Sequence, residues 1–144
     1  MLTTAMIVEA LAGRQLLRER SLDYSAVVSR TRERLPYAAL AAIAKRYGIP
    51  LASLARVIGL PEPILARRKK TRRLSANEST RLLRVARVAT SAEDVLRART
   101  KAGRWLQAPN VALGGAIPLD LLDTALGAEE VAAILGQMEH GIYS

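Results

Sequence analysis

Apolar residues recur every third or fourth position over most of this chain. The strict alternation of a half-buried strand is nearly absent, so the pattern predicts an all-α fold. The opening stretch places Ala5, Val8, Leu11, Ala12 and Leu16 on one helical stripe, which packs on the rest of the chain or on a second copy; core packing is the simpler use. After a polar segment containing Arg30, Arg32 and Arg34, Pro36 can occupy a first helical turn, where its missing N–H is harmless. Leu40, Ala41, Ile43, Ala44 and Tyr47 then give that helix a buried side, Gly48 reads as its cap, and Pro50 opens the next element.

Between Leu51 and Lys70 the spacing is more informative. Ala55 lies four residues before Gly59, among apolar Leu54, Ile58, Leu60 and Leu65. This is the pattern of a helix-turn-helix: a small residue where two helices touch, then a glycine able to take the left-handed backbone of the turn. A plain αα-hairpin would share it. The second helix is expected to begin near Pro61 and to run through Ile64 and Leu65 into Arg67, Arg68, Lys69, Lys70, Arg72 and Arg73. Ser75, followed three residues later by Glu78, predicts a capping box. The helix it opens carries Leu82, Ala86 and Ala89 on one side, and Arg81, Arg84 and Arg87 on another, where they extend a phosphate-binding face or are simply solvated.

A further helix is expected from Asp94 to Trp105, with Val95, Leu96, Ala102 and Leu106 apolar and Ala108-Pro109-Asn110 as its stop. Leu113-Gly114-Gly115-Ala116-Ile117-Pro118 reads as a loop with a proline placed to start a short helix; lacking a Gly-Lys-Ser/Thr ending and any basic residue, it is no phosphate loop. Leu119, Leu121, Leu122 and Leu126 supply apolar surface, and Gly127 is expected to break the chain. A last helix then has Glu129 and Glu130 in its first turn and a stripe of Val131, Ile134, Leu135, Met138 and Ile142.

Charge divides the chain. All 22 Lys and Arg residues lie at or before Arg104 together with eight acids, a net of +14, whereas Trp105 to Ser144 holds five acids and no Lys or Arg, a net of −5. A strongly basic part predicts a polyanion partner, and an acidic, apolar part predicts a protein surface or a solubilising face. Six cations in the seven positions 67–73 repel one another unless an anion is present, and phosphate contact is their natural use beside a helix-turn-helix. The absence of Cys excludes disulfides, thiolate metal sites and Cys nucleophiles and suits a cytoplasmic location; the lone His140 excludes a histidine metal cluster. Neither a secretory signal nor a membrane span is expected. At 3% aromatic content, RNA binding by base stacking is disfavoured. Asp120 and Asp123 are spaced one turn apart, but ordinary helix-face acids explain them better than acid–base catalysis.

Several segments together resemble the Xre/MbcA/ParS-type antitoxins. They are Arg67-Arg68-Lys69-Lys70, Arg73-Leu74-Ser75, Glu78-Ser79-x-Arg81-Leu82, Trp105-Leu106-x-x-Pro109-Asn110, Leu113-Gly114-Gly115-x-x-Pro118-x-x-Leu121-Leu122-Asp123-Thr124, Gly127 and Glu139-His140-Gly141-Ile142-Tyr143. The likeness covers roughly residues 35–144 and leaves the amino-terminal helix unmatched. It implies an antitoxin of a type II toxin–antitoxin pair: an Xre-like helix-turn-helix part that dimerises and represses its own operon, then a small helical toxin-binding domain that covers the active site of a RES-class, NAD-consuming toxin. The expected division is 1–75 for the amino-terminal helices and helix-turn-helix and 76–144 for the toxin-binding domain with its tail. The resemblance assigns Trp105, Leu113, Gly114, Gly115, Pro118, Leu121, Leu122 and Gly127 to the toxin-binding domain, and Glu139, His140, Gly141, Ile142 and Tyr143 to the tail nearest the toxin's NAD pocket.

The start of the recognition helix departs from the usual polar entry: Pro61-Glu62-Pro63 offers no backbone donor at either proline, and Glu62 repels phosphate although it can accept from cytosine. Arg67 and Lys70 are therefore the expected base or near-base contacts, with Arg68, Lys69, Arg72 and Arg73 on phosphates. The expected partners are the toxin, operator DNA and a second copy of the chain, with no cofactor, metal or membrane. The competing reading is a stand-alone helix-turn-helix repressor whose carboxy-terminal part only dimerises.

Overall fold

The computed structural model describes residues 4–11 and 34–141, except for the side chains of Thr4, Ala5 and Val8. The described residues form seven α-helices and two 3-10 helices with no strand: α1 (Thr4–Ala10), α2 (Tyr37–Tyr47), α3 (Leu51–Val57), α4 (Glu62–Thr71), α5 (Ala76–Leu96), α6 (Arg99–Gln107), 3-10 turns at Val111–Leu113 and Pro118–Asp123, and α7 (Ala125–Glu139). The all-α expectation and the order of its parts are those of the structure.

Helices α2, α3 and α4 make the helix-turn-helix. Gly48 caps α2 in the left-handed region at φ 63°, and its N–H donates to the Ala44 carbonyl. Gly59 takes φ 75° in the turn after α3, and the Leu60 N–H reaches back to the carbonyl of the fully buried Ala55. The two ends of this unit are strapped together. Tyr37 N–H donates to the Arg72 carbonyl, Leu74 N–H to the Leu35 carbonyl, and Leu35 N–H to the Ser79 hydroxyl, closing an isolated antiparallel bridge between Pro36 and Arg73.

Helix α5 is the hub. Ser75 caps it and Glu78 completes the capping box, a device that contributes about 1 kcal/mol. Leu82, Val85, Ala86 and Ala89 are wholly buried, and α5 packs against α1, α2, α6, α7 and the second 3-10 turn. One core runs through both halves, with Leu40, Ile43, Leu54, Ile58, Leu82, Leu106, Leu122 and Leu135 among its inaccessible side chains. Burial of each contributes roughly 1.5–3 kcal/mol.

A polar cluster knits four helices at one end. The Glu93 carboxylate of α5 accepts from the Arg46 guanidinium at 3.2 Å through both oxygens and from the Tyr47 hydroxyl at 2.8 Å. Arg99 of α6 lies 3.6 Å from Glu93 and 3.3 Å from Glu9 of α1. Burial disfavours the charge on Glu93, but Tyr47 and Arg46 outweigh it and hold the carboxyl below its ordinary range; burial, seconded by Glu93, pushes the Tyr47 hydroxyl upward.

The structure corrects several expectations. Ala41 is exposed, and Ala39 takes its place on the buried face of α2. At the amino-terminal helix Ile7, Ala10 and Leu11 are buried, which bears out Leu11 and adds Ile7 and Ala10 to the expected stripe; the side chains of Ala5 and Val8, and residues Ala12, Leu16, Arg30 and Arg32, lie outside what is described. Asp94, Val95 and Leu96 finish α5 rather than begin a new helix, because Arg97 takes φ 67° and closes α5 with its N–H on the Glu93 carbonyl. Gly127 does not break the chain: it is inside the first turn of α7, where Thr124 caps the helix by accepting from its N–H at 3.0 Å. Glu129 and Glu130 consequently fall in the second turn. No helix of the described residues is long and apolar enough to cross a membrane.

Candidate nucleic-acid interface and protein-binding surface

Helix α4 buries none of its residues completely. Ile64 and Leu65 are half-buried and anchor it, leaving Arg67, Lys69 and Lys70 exposed. Pro61 caps the helix without a side-chain bond, and Glu62 and Pro63 face solvent at its entry. The cationic last turn complements the negative end of the helix dipole. Arg72 closes α4 at φ 65°, and the Arg73 guanidinium donates to the Arg34 carbonyl at 2.9 Å; both side chains remain exposed.

Arg68 differs from its neighbours. Its guanidinium donates from Nε to Glu78 Oε1 at 2.9 Å and from an Nη to Oε2 at 3.2 Å, with the two side chains 19% and 9% exposed. Burial opposes the charge on Glu78, yet Arg68 and the Ser75 amide outweigh it and hold the carboxyl below its usual range. The same pairing raises Arg68. The six-cation run is thus divided by the fold, with one member already committed to a carboxylate inside the protein.

Two arginines of the α5 stripe, Arg81 and Arg84, are also put to internal use, while Arg87 is exposed. Arg81 lies against Gly59 and donates to the Ile58 carbonyl at 3.3 Å, while Arg84 donates to the Leu122 and Asp123 carbonyls at 3.4 Å. These contacts tie the turn of the helix-turn-helix on one side and the second 3-10 turn on the other to a single helix. Arg56 of α3 adds an exposed ion pair with Asp120 at 3.6 Å.

In the acidic half, the residues expected to shape the toxin-binding domain build its framework. Pro118, Leu122 and Gly127 are buried, and Trp105, Leu113 and Leu121 are half-buried against the core. Gly127 is required by contact rather than by flexibility, since a Cβ there would collide with the Leu121 carbonyl. Gly114 and Gly115 take φ 67° and 89° in an exposed loop folded around Asn110, whose side chain accepts from Ala112 N–H and whose carbonyl accepts from Gly115 N–H. Glu139, His140 and Gly141 are exposed at the end of α7; Ile142 and Tyr143 lie outside the described residues.

Val111, 95% exposed, and Leu126, 69% exposed, are the large apolar side chains that stand out among the described residues. Both belong to the segment that has acids and no cation. Val111 has no periodic partner, so no helical stripe marks it; Leu126 was legible only as one of several leucines.

A basic helix-turn-helix is thus joined through one long helix to an acidic helical part with exposed apolar residues. Residues 26–87 match the model described as the antitoxin Xre-like helix-turn-helix domain, and residues 91–141 the antitoxin Xre/MbcA/ParS C-terminal toxin-binding domain. The chain belongs to the Xre/MbcA/ParS antitoxin family. The two matches meet within α5, the helix shared by both parts. Among curated relatives, the chain is 38% identical over 98 residues to Antitoxin Xre of Yersinia enterocolitica serotype O:8 / biotype 1B, covering 67% of this chain and 66% of that one. It is 38% identical over 73 residues to Antitoxin Xre of Photorhabdus laumondii subsp. laumondii, covering 50% and 49%. It is 32% identical over 80 residues to a Prs ADP-ribosylating antitoxin of Sphingobium sp. strain YBL2, covering 49% and 50%. The chain thus spans about two thirds of the length of the first relative and about half that of the other two.

Proposed function

We propose that this protein is the antitoxin of a type II toxin–antitoxin pair that neutralises a RES-class, NAD-consuming toxin by covering its active site, and binds operator DNA as a homodimer to regulate its own operon. The observation that carries the reading is the separation of two surfaces on one framework: exposed Arg67, Lys69 and Lys70 on α4, and exposed Val111 and Leu126 in a segment with five acids and no cation. Neutralisation is steric and asks for no catalytic group in this chain. The Sphingobium relative's name joins an antitoxin with ADP-ribosylation, chemistry that draws on NAD, and so favours an NAD-consuming toxin here.

In this reading residues 1–75 face DNA and 76–144 face the toxin. Arg67 and Lys70 reach base edges while Lys69, Arg72 and Arg73 hold phosphates. Trp105, Leu113, Gly114, Gly115, Pro118, Leu121, Leu122 and Gly127 shape the toxin-binding domain, Val111 and Leu126 touch the toxin, and Glu139 to Tyr143 lies nearest its NAD pocket. Removing residues 139–144 should weaken protection of cells expressing the toxin while leaving operator binding largely intact. Full protection by the truncated chain would contradict the tail's role.

A further inference from the structure

Helix α4 is thinly held. It packs mainly on α3, its half-buried Ile64 and Leu65 lie against the core, and its far end is fixed by main-chain bonds only from Arg72 onward. Those bonds hold the end of the helix, and Ile64 and Leu65 hold its first half by apolar contact. Between them, Arg68 adds a polar tie to another element. Its two-pronged pair with Glu78 reaches the capping box of the hub helix, where Glu78 Oε1 also accepts from Ser75 N–H at 2.8 Å. Two of the five guanidinium N–H groups face Glu78 and the side chain is 19% exposed, so swinging the guanidinium out to a phosphate would break a charge-assisted pair whose carboxylate is 9% exposed and leave that charge uncompensated.

We infer that Arg68 is a positioning residue rather than a DNA ligand, and that its pair with Glu78 sets the orientation in which α4 presents Arg67, Lys69 and Lys70 to DNA. The inference rests on the DNA-binding reading above. It reverses an electrostatic expectation: an acid beside a DNA-binding helix ordinarily weakens binding, whereas Glu78 here strengthens it.

Two measurements on the full chain separate the strut from its use. In the free protein, amide hydrogen exchange across Ile64–Lys70 should accelerate in Arg68→Met and in Glu78→Gln; unchanged exchange in both overturns the strut itself. Gln keeps an acceptor for the Ser75 amide, and Arg68→Met leaves the capping box whole, so the two variants perturb the pair from opposite ends. Titration of a labelled duplex from the protein's own promoter region, across a range of salt, then reads the role in binding. Arg68→Met should lose about tenfold in affinity with an unchanged salt slope, whereas Lys69→Met should make the slope shallower by about 0.9, the loss of one phosphate contact. Glu78→Gln should also bind more weakly although it removes a negative charge. A slope reduced by about one unit in Arg68→Met, or tighter binding by Glu78→Gln, overturns the positioning role. Failure of the unaltered protein to bind the duplex overturns the DNA-binding reading and the positioning role together, while the exchange data still decide the strut.

Discussion

At Gly103 a Cβ would lie against the Tyr47 carbonyl, so helices α2 and α6 can approach as they do only without one. Gly103→Ala should cost about 1–3 kcal/mol by forcing them apart, read as a lowered thermal midpoint. Gly136 in α7 has open space around its Cβ position and should gain about 0.4–1 kcal/mol as Ala. Equal effects at the two positions would contradict the packing. Acid sensitivity belongs to this scale as well. Burial works against the charges of Glu78 and Glu93, but Arg68 with Ser75, and Tyr47 with Arg46, hold both carboxyls below their unfolded values. Their contribution is therefore present above the unfolded carboxylate pKa and is lost as pH falls through the lower folded values. Glu93→Gln should be less stable than the parent at neutral pH and show a shallower loss on acidification, in denaturant titrations across pH. Local signals were legible here: the Ser75–Glu78 capping box is a four-residue device that needs nothing distant to form. Glycines demanded by contact were not, since the Tyr47 and Leu121 carbonyls that exclude a side chain at Gly103 and Gly127 are far in sequence or hidden behind a helix start.

Among the elements, the helix-turn-helix was readable because small Ala55, turn Gly59 and the flanking prolines act within one supersecondary unit. The boundary between α5 and α6 was not, because Arg97, neither Gly nor Pro, takes the left-handed conformation that ends α5. The basic run announced itself by composition, but its division into exposed members and the Glu78-paired Arg68 depends on α4 lying beside the start of α5. At this scale, reversing Arg67 and Lys70 to Glu should abolish operator binding in a mobility-shift assay and leave toxin neutralisation unaffected. Loss of both would mean that the two surfaces are not separate. Conversely, if Val111 faces the toxin as proposed, Val111→Asp should weaken binding to it at least about tenfold, measured by calorimetry, while the fold and DNA binding persist.

For the whole molecule, a net charge of +9 conceals a basic part and an acidic part, and the fold keeps them distinct while α5, Arg81 and Arg84 bind both to one core. The charge division and the family motifs were visible along the chain. What the motifs do was less visible: Pro118, Leu122 and Gly127 are conspicuous because they build the domain, whereas the surface it displays, Val111 and Leu126, follows from loop geometry that no periodicity reports. The proposed cover of a toxin's active site by this surface can be read by co-expressing the chain with the product of the neighbouring gene of its operon, purifying the pair, and following NAD consumption by that partner with and without the antitoxin. A stable complex is expected, with NAD loss by the free partner and suppression of that loss once the antitoxin is equimolar. A partner that fails to co-purify, or that consumes NAD at the same rate in the presence of the antitoxin, would contradict it.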